Sequence, residues 1–387
     1  MKQVQFLIFF SIVLTVYGLV NFYIFNRGLK TFEPDTSLRT VYIVAFWFIA
    51  AAYIVGRVLE KVYLSTLSDA FTWIGSFWLA AMVYLFLAVI AIDLLRLVNH
   101  YVPFFSKIIP EAVLSRPYFI TIGLATAVFL LIFVGHLNAL LPRTNRVNIS
   151  LTKSIDSRDN LRIAMVSDIH LGTIISSHRL NKIIDHINSV EPDVILIPGD
   201  LVDEDLTPVI RQNLGAMFSK LAAPMGVYAS TGNHEYIGGA NAAVHYLRKH
   251  GIKVLRDTAV QILPKLWIIG RDDVESKRFA GEQRKSLKEI MANIPDDEVS
   301  IVLDHQPRAY AEAQSEGVDL ILSGHTHHGQ MWPFNYITQA LFPLSWGYKK
   351  FGEMHAYVSS GIGTWGPPVR LGNRPEVVVI SLRFDGK

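Results

Sequence analysis

The chain of 387 residues contains no cysteine. Disulfides, thiolate metal sites and a cysteine nucleophile are excluded together, and the redox compartment is left open. Net charge is slight: 36 basic side chains face 33 acidic ones, and a balance of +3 gives no electrostatic footprint for nucleic acid. No internal repeat or low-complexity tract is evident. Acidic residues are scarce in the first 141 positions, which are mostly apolar and aromatic, and concentrate beyond Asn145. This asymmetry accounts for a mean hydropathy of +0.30, high for one soluble domain, and divides the chain into residues 1–143 and 144–387.

Four apolar runs fill the first part, at about 4–25, 40–58, 70–92 and 117–141. Each approaches or meets the roughly 17 to 25 residues that a membrane-crossing helix needs. Phe22-Tyr23-Ile24-Phe25 offers no small-residue cleavage site, so the first run is expected to stay as a span. Tyr17, Tyr23, Trp47, Trp73 and Trp78 are expected at the lipid interface or in helix packing. His136, the ionisable group of the fourth run, is expected to be neutral and bonded to a neighbouring helix, and Asp93 to pair with Arg96 one turn on. Loop cations, Arg116 among them, balance between the two sides. The expectation is an integral cell-membrane protein in contact with lipid, its C-terminal part inclined to the cytoplasmic side.

Past Pro142 the pattern becomes strand and helix in alternation, with a polar turn at 154–160. Strands at 162–166, 194–197 and 227–230 alternate with helices from about 177–190, 208–221 and 241–250, which predicts a sheet covered on both faces. Shorter strands at 260–263, 266–269, 299–303, 320–322, 356–359 and 377–382 predict a mixed sheet or a two-sheet sandwich, so the class is α/β after an all-α bundle.

Chemistry-bearing residues collect where these strands stop. Val194-Ile195-Leu196-Ile197 ends at Pro198-Gly199-Asp200, with Asp203 three residues on. Asp168-Ile169-His170, Gly232-Asn233-His234-Glu235, Asp304-His305 and Gly324-His325-Thr326-His327-His328 each follow an apolar run in the same way. Strand C-termini are where α/β sheets place ligands. Residues at i and i+2 of an extended segment share a side, so Asp168 with His170 can grip one ion, and His325 with His327 repeats the spacing. Asp200 is placed to bridge two metal ions. Oxygen and imidazole donors without thiolate suit Mn²⁺, Fe or Zn²⁺.

These five blocks, in this order and spacing, resemble the calcineurin-like metallophosphoesterases, whose pattern runs Asp-x-His, Gly-Asp-x-x-Asp, Gly-Asn-His-Asp/Glu, His, Gly-His-x-His. The resemblance covers roughly Asn148 to Phe384. Ser359–Thr364 with Pro367-Pro368-Val369-Arg370 is also similar to the bacterial membrane-associated subgroup, which commonly has Gly where this chain has His328. The resemblance implies a four-layer α/β/β/α sandwich with two divalent ions. Asp168, His170, Asp200 and His327 would hold one, and Asp200, Asn233, His305 and His325 the other. His234 would protonate or stabilise the leaving oxygen, oriented by Asp203.

Arg370 is a candidate phosphate fork, with a surface position as its rival, and His328 a candidate for shaping the adjacent pocket. The aromatic segment from Met331 to Phe351 reads either as packing against the sheet or as a lip that admits an acyl chain. The expected function is a membrane-anchored phosphoesterase acting on a phosphoester or pyrophosphate bond of a lipid-linked substrate. The subgroup includes enzymes acting on nucleotide-linked acylated sugars. The rival is a catalytically silent membrane scaffold or sensor; no nucleic-acid partner is expected.

Overall fold

The computed structural model describes residues 2–108, 117–155 and 158–386, so Arg116 and residues 156–157 of the expected polar turn lie outside the described residues. The chain divides into two compact units, Met1–Gly135 and His136–Lys387.

The first unit holds α1 (Lys2–Leu29), α2 (Ser37–Val62), α3 (Thr66–Tyr101) and most of α4 (Pro117–Ala139), with a single turn at Phe105–Ile108. All four are long and apolar enough to cross a membrane. Thr36 caps α2 by accepting from Arg39 N, and Ser65 with Ser68 forms a capping box on α3. Helices α2 and α3 approach closely because glycine stands at their contact. A Cβ on Gly75 would meet Tyr53 Cα at 2.2 Å, and one on Gly56 would meet Thr72 N at 2.7 Å. Trp78 serves helix packing, a buried side chain donating its indole N–H to Asn21 Oδ1 at 2.9 Å, while Tyr17 donates to Ala50 O at 2.6 Å. Polar side chains in an apolar bundle find partners inside it because lipid offers none. Asp93 meets Arg96 at 3.5 Å as expected, and also Arg27 at 2.5 Å and the Tyr23 hydroxyl.

The second unit is a sandwich of two six-stranded sheets. The first runs β1 (Arg143–Leu151), β12 (Glu376–Phe384), β2 (Asn160–Met165), β3 (Val194–Pro198), β4 (Val227–Ser230), β5 (Lys253–Val254). The second runs β10 (Gly347–Phe351), β11 (Met354–Val358), β9 (Leu320–Ser323), β8 (Val299–Leu303), β7 (Leu266–Gly270), β6 (Thr258–Leu263). Ile163, Met165, Leu196, Ile268, Ile301, Leu322 and Ile380 fill the space between the sheets. The alternate residues Ala164, Ile195 and Ile197 face outward and pack under α5 (Ser177–Asn188) and α7 (Ala240–Lys249), which contribute Ile183, Ile184, Ile187, Val244 and Leu247. Val302 and Ile321 of the second sheet are covered likewise by Leu287, Tyr310 and Ala313. Both sheets are therefore buried on two faces, which is why their strands read as continuous apolar runs, and the result is a four-layer α/β/β/α sandwich.

One expectation about local structure is corrected. The helix expected at 208–221 is broken into Thr207–Arg211 and a 3₁₀ segment Leu214–Lys220, because Asn213 turns into the left-handed region at φ 52°. The Nδ1–H of His136 donates to the carbonyl of Pro368 at 2.7 Å. The compact second unit starts at His136.

Candidate metal centre

Strands β2, β3 and β4 run parallel, as do β7, β8 and β9, so their C-terminal ends lie along one edge of each sheet. The loops leaving β2, β3, β4, β8 and β9 carry every expected ligand. The backbone there is not relaxed. Asp168, His170, Asp200, His325 and His327 all have positive φ, between 46° and 70°. A non-glycine residue in that region costs about 1–2 kcal/mol, and such strain gathers where surrounding structure holds side chains for a task. Gly232 and Gly324 leave room for the carboxylates: a Cβ on the first would lie 2.1 Å from Asp200 Oδ1, and on the second 2.3 Å from Asp168 Oδ2.

The structure brings the seven expected ligands together. The Nε2 atoms of His170 and His327 face each other at 3.0 Å, and His327 Nε2 is 3.5 Å from Asp168 Oδ1. Asn233 Oδ1 sits 2.8 Å from His325 Nδ1 and 3.1 Å from His305 Nε2, which is itself 3.1 Å from Asp200 Oδ2. Asp168, His170 and His327 converge closely enough to hold one cation, as do Asp168, Asp200 and His305. His305 Nδ1 donates to Pro198 O at 2.9 Å, an outer bond that frees Nε2 for a ligand role. Asp203 Oδ1 accepts from His234 Nδ1 at 3.0 Å.

These donors suit a divalent ion. Burial pushes the imidazoles of His170 and His325 down to about 4 and about 3, and that of His327 well below its ordinary value, so all three offer neutral lone pairs. Burial pushes the Asp168 carboxyl up to about 6. At Asp200 burial is outweighed by His305, His234 and His170, which hold the carboxyl well below the usual range. Two imidazole nitrogens at 3.0 Å beside two buried carboxylates form a cradle for positive charge. Burial disfavours the His234 cation, but Asp200 and Asp203 outweigh it and raise its pKa to about 9.

Two expected contacts are placed elsewhere. Arg370 is fully buried: its Nη2 hydrogens go to Gly361 O at 3.1 Å and Gly363 O at 2.7 Å, and Nη1 donates to Asn373 Oδ1 at 2.9 Å. Through these bonds the guanidinium braces the loop between Gly361 and Asn373. His328 turns towards Ser345 Oγ at 3.2 Å and the Trp346 ring at 5.3 Å.

Sequence reasoning passed over Glu235. Its buried carboxylate accepts from the backbone N–H groups of Gly232 (2.7 Å), Val202 (2.9 Å) and Asp200 (3.1 Å), tying two ligand loops together. The signal was present: a Glu three residues into α6 (Asn233–Gly238), reaching back to its cap, has capping-box spacing.

Above the polar floor lies a cleft of about 410 Å³, walled by Phe334, Ile337, Thr338 and Phe342 on one side and Trp365 on the other. The wall belongs to α8 (Phe334–Leu341), an amphipathic helix whose Tyr336, Ile337 and Leu341 are exposed, as is neighbouring Trp332.

A family profile described as calcineurin-like phosphoesterase matches residues 161–329. A metallophosphoesterase of Campylobacter jejuni is 31% identical over 384 residues, covering 98% of this chain and 99% of its own. One of Aquifex aeolicus is 34% identical over 263 residues, covering 67% of this chain and 99% of its own. A Danio rerio protein named transmembrane protein with metallophosphoesterase domain is 31% identical over 293 residues, covering 72% of this chain and 66% of its own. Spanning nearly the whole of two such relatives, with the motif residues gathered where the strands of both sheets end, the chain belongs to the calcineurin-like metallophosphoesterase family of metal-dependent phosphohydrolases.

Proposed function

We propose that this chain is a membrane-anchored phosphohydrolase with two divalent ions, acting on a lipid-linked phosphoester or pyrophosphate. Asp168, His170, Asp200 and His327 hold one ion; Asp200, Asn233, His305 and His325 hold the other. When bound, the ions supply Lewis-acid charge to the phosphoryl oxygens and lower the pKa of the attacking water. The residues of the chain do the rest. Asp200 supplies the carboxylate between the two ligand sets. His234, cationic beside Asp203 and lining the cleft, gives its Nε2 proton to the oxygen that leaves phosphorus as the P–O bond breaks. Asp203 keeps the Nδ1 hydrogen on its own side and so fixes which nitrogen meets the substrate.

The observation that carries the lipid reading is the apolar wall of the cleft, continuous with the exposed apolar residues of α8, in a chain with four apolar helices. Full-length protein in detergent with Mn²⁺ should turn over an acylated phosphodiester or pyrophosphate with a kcat/KM at least about tenfold above its short soluble analogue, each lost methylene contact being worth about 0.8 kcal/mol. Equal turnover removes the lipid argument. On the same reading the centre works on the cytoplasmic side of the cell membrane; protease added to intact cells then spares the second unit, and its digestion there places the centre outside.

A further inference from the structure

The last turn of α4 falls in the second unit, and its Asn138 side chain bonds a loop there. The Asn138 carboxamide donates one hydrogen to Arg370 O at 2.9 Å and the other to Asn373 O at 2.7 Å. It therefore spans the two ends of the turn 370–373. From that turn two side chains reach the centre. Asn373 Nδ2 donates to the carbonyls of His327 (2.9 Å) and His328 (3.1 Å). Arg370 Nη2, held by Gly361 O and Gly363 O, rests 3.2 Å from Nδ1 of the His327 ring.

His327 needs such holding. It and His328 are consecutive left-handed residues, φ 46° and 47°, a pairing that unsupported backbone leaves readily because Cβ is crowded against the following carbonyl at each. Asn373 pins the backbone of this pair, Arg370 abuts the ring, and both are fixed through one carboxamide on the helix.

We propose that Asn138 is a positioning residue for the metal centre, setting the geometry of His327 through Arg370 and Asn373. The inference rests on the reading of His327 as a metal ligand. Outer contacts of this kind orient metal ligands, and their loss costs about 10- to 100-fold in metal affinity.

The test is Mn²⁺ binding to the full-length protein in detergent, followed by calorimetry and by metal content after dialysis. Asn138→Ala, and Asn138→Asp, which keeps the shape but loses both donated hydrogens, should weaken one of two ions by about 10- to 100-fold. Asn138→Gln should recover part of the loss. Arg179→Gln removes a different bond to the same helix end, Arg179 Nη2 to Ala139 O at 2.8 Å, and should leave both ions at wild-type affinity. Wild-type metal affinity in Asn138→Asp, or an equal loss in Arg179→Gln, overturns the proposal, the second by showing only a general joint. If Asn138→Ala fails to fold, Asn138→Gln carries the comparison. His327→Ala separates the two readings: if it binds both ions normally, the assignment of His327 as ligand fails; if it loses one and Asn138→Asp does not, only the positioning role fails.

Discussion

Asp200 and His234 lie side by side, the His234 backbone N–H donating to Asp200 Oδ1 at 2.9 Å, yet they carry separable tasks. Asp200→Asn removes the charge shared by both ligand sets, so metal content and turnover should fall together, the latter to background. His234→Ala should keep its metal and lose about 10²- to 10⁴-fold in kcat, the scale of a positioned proton donor. Metal analysis beside single-substrate kinetics distinguishes the two; unchanged activity in either would favour a silent scaffold. At this scale the convergence of Asp168, His170 and His327 was legible from residue type and position at a strand end. The surroundings of Arg370 were not. Whether a guanidinium meets solvent or three loop acceptors depends on how Gly361 and Gly363 fold back, and no local pattern encodes that.

The elements show the same division. Continuous apolar runs announced the strands because both sheet faces are covered. The break at Asn213 was missed because helical periodicity on either side of it is sound. Helix α6 carries a prediction of its own. Glu235→Ala leaves three buried N–H groups without their acceptor, each costing about 1–3 kcal/mol, so thermal unfolding of the second unit should begin at least about 5 °C lower. Helix α8 carries another. Leu341 is 63% exposed and lies outside the cleft lining, so Leu341→Ser should lower kcat/KM for an acylated substrate while a short soluble one is turned over as before. Parallel losses on both substrates would assign the helix to packing.

For the whole molecule, exhaustive chelation should abolish hydrolysis and added Mn²⁺ should restore it, read with the full-length protein in detergent; turnover that survives chelation contradicts a metal-dependent reaction. The division into an apolar part and a mixed α/β part was visible in composition alone. Hydropathy runs on through His136 and Asn138, although Asn138 donates to Arg370 and Asn373 of the second unit. The order of the first sheet has a further consequence. Its last-made strand, β12, lies between β1 and β2 and pairs with both. Until Glu376–Phe384 leaves the ribosome, β1 and β2 have no common neighbour, and each keeps an open edge ready to pair with another chain. The apolar helices precede the sheet in the chain, whereas the sheet closes only once β12 has been made. A chain stopped at Pro375 should therefore be clumped or degraded in cells, although it retains every residue assigned to the metals.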